Sequence, residues 1–257
     1  MNGRRTLAVL IAWLLFEFAS LAFSSPLAAA PPTEKKPPTR YDATDRYEVR
    51  KIEGWRVLVN KDFVQNENDL CRRTLRLVRV HLYQITRTAP SPALKKLRQV
   101  PIWVEENEPH HACMAYHPDA KWLMEHNMNP DKARCVELAN ARNFLKWTHQ
   151  QPWMVLHELA HAYHHQFLEK GFDNPRVLSA FKQAKAAGKY DQVRHINGKM
   201  RNAYAMTNQM EHFAEASEAF FGVNDFYPFV RAELKQHDPD THQALEELWG
   251  KENDETK

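Results

Sequence analysis

Apolar residues recur along the chain with a period of two in some segments and of three to four in others. Alternation over residues 47–59, around the dipeptide Glu53-Gly54, predicts a short β-hairpin. Short apolar runs at 100–105 and 135–140 predict two further strands. Residues 67–88 carry a helical apolar stripe, which consists of Cys71, Leu75, Val78, Leu82 and Ile85. The pattern therefore predicts an α+β protein with a small sheet.

A second amphipathic helix is predicted after residue 148. Thr148 and Gln151 are spaced like a capping box, Pro152 then falls in the first turn, and Gly171 stands where the helix should end. The apolar positions are three or four residues apart, at Trp153, Leu156, Ala160, Tyr163 and Phe167. One side of this helix can therefore pack while another presents functional groups.

Residues 157–161 of that helix read His-Glu-Leu-Ala-His. Histidines four residues apart share a helix face, with Cβ atoms about 5–6 Å apart, so both can reach one Zn²⁺. Glu158 is rotated about 100° from His157, so it points beside the metal, where it can take a proton from an activated water. The chain has 14 histidines, and a bare match could also be two surface histidines with a solvated glutamate. The surrounding helical pattern favours the metal site.

A zinc site of this kind needs a third protein ligand. One known scheme places a histidine six residues after the second, but that position is Phe167. His164 and His165 are expected to contact the metal ligands without binding the metal, or to lie at the protein surface. The alternative is a glutamate from a later helix.

Such a helix is predicted between its cap Asn208 and Phe221, with Gly222 just beyond. Glu211, Glu215 and Glu218 fall on it at i, i+4 and i+7. A solvated acidic stripe is the alternative explanation of this spacing. Beside a two-histidine helix that lacks a ligand, we expect Glu211 to bind the metal. Glu215 should accept a hydrogen bond from a ligating histidine, and Glu218 should be solvated.

These two segments, His157-Glu-Leu-Ala-His161 and Tyr204-x₆-Glu211-x-Phe-Ala-Glu215, resemble the zinc-peptidase domain of the anthrax lethal factor type, in the gluzincin group of metallopeptidases. The resemblance covers roughly residues 100–250. It implies a zincin-like fold with a small twisted sheet, an active-site helix and a mostly helical C-terminal lobe. It also implies that Glu211 is the third zinc ligand.

The same resemblance implies a role for Tyr204, which would donate a hydrogen bond to the oxyanion that develops on the substrate. The strand before the active-site helix is a sheet edge in this group, so Val136 to Asn140 would align a peptide. The toxin's translocation and substrate-recognition domains have no counterpart in this chain, so its substrate is not implied.

The N-terminal residues predict export. Residues 1–30 combine a basic start, an apolar core and a small-residue end, typical of a signal peptide. Cleavage is favoured over retention as a membrane anchor because Glu17 is costly at the bilayer centre. Residues 31–46 form a proline-rich linker, and 47–257 the peptidase domain, with lobes at about 47–148 and 149–257.

Charge and cysteine content narrow the functional classes. The chain has 35 basic and 32 acidic side chains, a net charge of +3, which is too balanced to indicate nucleic acid or a membrane surface. Of three cysteines, Cys71 is expected to be a buried thiol, whereas Cys113 and Cys135 flank a polar loop and could form a disulfide. Three histidines are expected at the surface: His110, His111 and His117.

The sequence thus predicts a secreted or extracytoplasmic, monomeric zinc metallopeptidase with one Zn²⁺ per chain and a peptide or protein substrate. No nucleic acid, and no membrane beyond the export signal, is expected as a partner. Two alternatives stay open: a catalytically silent zinc-fold binding module, and a zinc hydrolase with a non-peptide substrate. The predicted site comprises the metal ligands His157, His161 and Glu211, the catalytic residues Glu158 and Tyr204, and the supporting Glu215.

Overall fold

The computed structural model describes residues 41–250. The predicted export signal and most of the predicted linker lie outside this range. Over the range itself, no helix has both the length and the apolar character needed to cross a bilayer. Residues 41–46 pack on the domain, since Asn60 Nδ2 donates to Asp42 Oδ2 at 2.7 Å.

A five-stranded mixed sheet forms the N-terminal half, in the order β1-β2-β3-β5-β4. The two outer pairs are antiparallel, and β2, β3 and β5 run parallel. The predicted hairpin is confirmed. Both residues of its two-residue turn, Glu53 and Gly54, have positive φ, as a type I′ turn requires. The strands are β1 (Tyr47–Ile52), β2 (Trp55–Asn60), β3 (Ile102–Val104), β4 (Met114–His117) and β5 (Cys135–Leu138).

Helices cover one face of the sheet and make up most of the C-terminal half. They are α1 (Lys61–Asn66), α2 (Asn68–Thr88), α3 (Ser91–Leu97), α4 (Ala120–Glu125), α5 (Ala141–Trp147), α6 (Met154–Phe167), α7 (Pro175–Ala186), α8 (Gln209–Phe221), α9 (Arg231–His237) and α10 (Pro239–Trp249). A two-stranded ribbon, β6 (Val193–Arg194) with β7 (Met200–Arg201), lies between α7 and α8. The α+β class with a small sheet is therefore confirmed.

The main core lies between the sheet, α2, α6 and α8. Val57, Val104 and Leu138 face it from the strands, and the predicted stripe of α2 faces it from the other side. Burying each such side chain contributes about 1.5–3 kcal/mol. Helix α8 ends at Gly222, where a Cβ would lie 1.8 Å from Trp153 Cε2. Only glycine therefore lets the end of α8 approach the start of α6 so closely.

The opposite face of the sheet carries a buried polar network. Lys132 Nζ donates to Glu105 Oε1 at 2.7 Å and also to Glu137, whose Oε2 lies 2.7 Å from His117 Nε2. Burial alone would raise the pKa of Glu137, but the bond to His117 and the charge of Lys132 hold it below its usual range. His117 is only 2% exposed, so its predicted surface position is wrong. His110 is exposed, as predicted, and His111 is half-buried.

Three local predictions about α6 and its surroundings need correction. Thr148 ends α5 and does not cap α6, which begins only at Met154, after Pro152. Gly171 starts a short 3₁₀ turn four residues beyond the end of α6. Strand β5 is not an edge, because β4 pairs with its outer side. The edge beside α6 is therefore β4, a strand that the sequence did not predict.

The cysteines are all unpaired thiols. Cys71, Cys113 and Cys135 are each buried and free. The expectation for Cys71 is confirmed, whereas the suggested bridge between Cys113 and Cys135 is wrong. Burial raises the pKa of Cys113 to about 12 and that of Cys135 to about 11, so both are protonated and unreactive at neutral pH.

Candidate metal centre

Three donor atoms from two helices converge at one point. The Nε2 atoms of His157 and His161 lie 3.1 Å apart, one turn from each other on α6. Glu211 Oε2 lies 3.1 Å from the first and 3.3 Å from the second. Glu211 is in the first turn of α8, which is fixed because the Asn208 side chain accepts hydrogen bonds from the Met210 and Glu211 amides. The predicted cap and bounds of α8 are confirmed.

The spacing of these donors fits a metal ion. In a tetrahedral site with metal–ligand distances of about 2.0–2.1 Å, neighbouring donors lie about 3.3–3.4 Å apart. His157 is hydrogen-bonded at both ring nitrogens, from Nδ1 to Glu218 Oε1 at 2.7 Å and from Nε2 to Glu211 Oε2 at 3.1 Å. Burial alone would lower the pKa of His157, but these two bonds raise it well above its usual value, so the metal-free ring carries a proton on each nitrogen. A metal ion could replace the Nε2 proton among the same donors, so His157, His161 and Glu211 could hold a metal ion.

Charge supports the same conclusion. Burial alone would raise the pKa of Glu211, but its hydrogen bonds to His157 and His161 hold that pKa well below its usual range. Glu211 is therefore ionised at neutral pH. Two histidines with one carboxylate form a typical donor set for Zn²⁺, and metal binding would release the proton that His157 carries on Nε2.

Buried carboxylates lie behind His157. Glu218, and not Glu215 as predicted, accepts the Nδ1 hydrogen bond, since Glu215 Oε1 is 3.9 Å from that nitrogen. The expectation that Glu218 is solvated is wrong, since it is 3% exposed. Its pKa is raised to about 7 by burial, against the opposing effect of His157. Burial and the charge of Glu218 also raise the pKa of Glu215 well above its usual range. The face of α6 that carries His157 and His161 is thus backed by the buried carboxylates of Glu215 and Glu218.

Glu158 lies beside the donor triangle and not within it. Its Oε2 accepts a hydrogen bond from the main-chain N–H of Tyr116 in β4, at 2.8 Å. This contact ties α6 to the edge of the sheet and directs the carboxylate towards the space between them.

That space is a cleft of about 400 Å³. One wall is the segment 111–116, which includes most of β4, and Trp147 and Gln151 also line it. Tyr204 begins a 3₁₀ turn that packs on α8, and its ring is half exposed in the cleft. Burial and the charge of Glu211 raise its pKa, so its hydroxyl keeps its proton. All six predicted site residues line this cleft: His157, Glu158, His161, Tyr204, Glu211 and Glu215.

Two further groups of histidine and glutamate have donor atoms within 4.8 Å of one another. The first group consists of His111, His117 and Glu137, but Glu137 already accepts a hydrogen bond from the Lys132 ammonium, which supplies the positive charge there. The second joins His157 Nδ1 with Glu215 and Glu218, and the bond to Glu218 uses that nitrogen. Neither group is therefore as good a candidate metal site as the three donor atoms of His157, His161 and Glu211.

Sequence reasoning missed several residues around the site. Glu218 shares a helix face with Glu211, so its spacing signalled proximity, but nothing in the sequence signalled its burial. The cleft wall at Cys113 to Tyr116 has no strand signature. His164 is fully buried between Phe172 and Phe213 and is therefore not a surface residue. His165 Nδ1 lies 2.8 Å from the Tyr116 hydroxyl.

Comparisons with known proteins give no relative for this chain. No protein-family model, no curated protein and no solved structure matches it. The resemblance to the lethal factor type therefore rests on two short motifs and supports a proposal about function.

Proposed function

We propose that this chain is a zinc-dependent peptidase with a zincin-like fold. One observation carries the proposal: His157, His161 and Glu211 bring three donor atoms to 3.1–3.3 Å from one another, with the carboxylate of Glu158 beside them in an open cleft. When bound there, Zn²⁺ would lower the pKa of a water towards about 7 and polarise a substrate carbonyl.

Glu158 is the general base in this proposal. It takes the proton of the attacking water on one carboxylate oxygen and passes it to the leaving amine. Its Oε2 is held by the Tyr116 amide, so the carboxylate is oriented before substrate arrives.

Tyr204 stabilises the negative charge that develops on the carbonyl oxygen. Its protonated hydroxyl lies in the cleft and can donate a hydrogen bond to that oxygen. Loss of one such donor typically costs about 10²–10³ in rate.

The open edge of β4 favours a polypeptide substrate. The carbonyls of Cys113 and His117 accept hydrogen bonds from the neighbouring segment, so these residues face β5. By alternation, the main-chain groups of Met114 and Tyr116 point outwards, towards the cleft. An extended peptide can form main-chain hydrogen bonds with such an edge, whereas a small non-peptide substrate lacks the main-chain groups to do so. Secretion through residues 1–30 stays a prediction.

The test is cleavage of a mixed peptide library by the full chain, read by mass spectrometry, together with the zinc content of each variant. Glu158→Gln should keep zinc and lose at least about 10²-fold in rate, because the proton acceptor is gone. His161→Ala should lose both zinc and cleavage. Glu169→Gln, a matched change at an exposed position after α6, should behave like wild type.

Three outcomes would contradict the proposal. Full activity in Glu158→Gln would show that Glu158 is not the general base. Failure of the wild type to retain zinc would show that the three donors do not form a zinc site. Zinc retention with cleavage of non-peptide substrates alone would favour a zinc hydrolase with a non-peptide substrate.

A further inference from the structure

A second groove lies at the opposite edge of the sheet from the cleft. It runs between β1 and the N-terminal half of α2, with a volume of about 510 Å³. Five of its lining residues are basic and none is acidic: Arg50, Lys51, Arg72, Arg76 and Arg79. The even balance of charge over the whole chain therefore hides a strongly positive local surface.

Most of this charge has no partner within the described part of the chain. Arg50 pairs with Glu48, and Arg72 with Asp69. Lys51, Arg76 and Arg79 form no ion pair with any described residue. Arg76 and Arg79 lie one turn apart on α2, so their like charges are held close together without compensation. A bound anion would relieve this repulsion.

The floor of the groove is apolar. Ile52, Cys71 and Leu75 line it and are almost fully buried, and Val64 lies beside them, half-buried. A small inorganic anion would leave this floor uncovered. An occupant that combines negative charge with apolar side chains would fit both parts of the groove.

Strand β1 adds main-chain groups to the rim. It is the outer strand at this end of the sheet. In a hairpin with the two-residue turn Glu53-Gly54, Ile52 and Trp55 form the closing hydrogen-bonded pair. Alternation then directs the N–H and C=O groups of Val49 and Lys51 away from β2. The edge can therefore accept another strand.

We propose that this groove docks an extended acidic peptide segment of a partner protein. The segment would add to the edge of β1 by main-chain hydrogen bonds, and the side chains on its α2-facing side would place carboxylates on Arg76 and Arg79 and apolar groups on the floor. β1 and β4 are opposite edges of the sheet, so docking leaves the cleft open. The proposal does not depend on the proposed peptidase activity.

The test is fluorescence anisotropy with the full chain and a labelled octapeptide that repeats Glu-Glu-Val-Val, so that each face of the strand carries both Glu and Val. The double variant Arg76→Glu/Arg79→Glu should weaken binding at least about tenfold, because two favourable charge contacts become repulsive. The matched control Arg73→Glu/Arg87→Glu makes the same charge change on exposed positions of α2 outside the groove. It should stay within about twofold of wild type. Far-UV circular dichroism confirms that each variant is folded.

Peptide variants separate the main-chain from the charge contribution. A Gln/Val peptide should bind at least about tenfold more weakly than the Glu/Val peptide. N-methylation can be placed on the odd-numbered or on the even-numbered amides of the peptide. Only one of these two sets of N–H groups faces β1, so only one of the two methylated peptides should bind at least about tenfold more weakly.

Several results would overturn the proposal. Equal weakening by the control variant would mean that binding is non-specific attraction to positive charge. Insensitivity to N-methylation in both registers would exclude strand addition. Tighter binding of a heparin-derived oligosaccharide than of the peptide would assign the groove to a polysaccharide. Absence of peptide binding at millimolar concentration would exclude docking altogether.

Discussion

At the scale of single residues, His157 is held at both ring nitrogens by carboxylates of one helix. Its Nε2 lies 3.1 Å from Glu211 and its Nδ1 lies 2.7 Å from Glu218. A carboxylate on the outer nitrogen fixes the tautomer and the ring orientation, and it makes the inner nitrogen a better donor. Glu218 therefore positions a candidate metal ligand although it does not belong to the donor triangle.

Replacement of Glu218 by glutamine should lower zinc affinity by about 10–100-fold, because a neutral amide is a weaker acceptor for the Nδ1 proton. Glu215→Gln should have a smaller effect, since Glu215 is 3.9 Å from that nitrogen. Competition with a chromophoric chelator measures both affinities. Equal losses in the two variants would show that the acidic layer acts as a whole and not through one contact.

At this scale the sequence predicted the residue types of the site and their spacing on the two helices. It did not predict which glutamate side chain reaches His157. The four-residue spacing of His157 and His161 dictates a shared helix face, and the Asn208 cap dictates the register of α8. Glu215 and Glu218 are both within one turn of a common face, so periodicity cannot decide which one reaches His157. That choice depends on the crossing of α6 and α8, which is set by packing distant in sequence, such as Gly222 against Trp153.

At the scale of elements, β4 connects the sheet with the candidate metal centre. Its Tyr116 amide holds Glu158, while its remaining outward-facing groups border the cleft. In the proposed peptidase, an edge strand in this position would align a peptide and orient the Glu158 carboxylate at the same time.

Proline at Met114 tests this role. The Met114 amide faces away from β5, so Met114→Pro removes an outward donor without breaking the sheet. KM for a cleaved peptide should rise about tenfold or more, with little change in the free energy of unfolding. Ala115→Pro is the matched comparison: its amide faces β5, so this variant should be destabilised by about 3 kcal/mol or more. An unchanged KM in a folded Met114→Pro variant would rule out substrate alignment by β4.

The sequence predicted β1, β2, β3, β5 and the helices α2, α6 and α8, but it missed β4 and several other helices, and it did not predict the order of the strands. Hairpin and helix signals are local, and they placed β1, β2, α2 and α8 within a residue or two. Strand β4 consists of Met-Ala-Tyr-His between histidine- and proline-containing segments, which has little β-branched character. Once β4 is missed, β5 takes its place as the edge strand.

At the scale of the whole molecule, several imidazoles are buried in neutral form. Burial lowers the pKa of His81 to about 4, that of His164 to about 3 and that of His212 to about 4. In the unfolded chain a histidine takes up its proton near pH 6.5. Between these values each of these imidazoles binds more protons in the unfolded state, so each one makes the free energy of unfolding fall as the pH falls below about 6.5. Glu215 and Glu218, whose pKa values are raised by burial, act in the opposite direction.

His81→Leu should reduce this sensitivity to acid. The variant lacks one buried imidazole, so its free energy of unfolding should fall by about 1.4 kcal/mol less per pH unit between pH 6 and pH 4.5. Urea unfolding at several pH values measures the slope. His149→Leu, at an exposed position, should follow wild type. An identical slope in His81→Leu would mean that His81 does not remain neutral in the folded protein.

The open edge of β1 also has a consequence for self-association. Two copies that met edge to edge about a two-fold axis would bring the same residues of both strands together, including Arg50 and Lys51. Lysine on an exposed edge is a common protection against such pairing, because like charges repel at close range. The basic edge thus discourages strand-to-strand dimers and fibrils at low ionic strength, and concentrated salt would weaken that protection by screening.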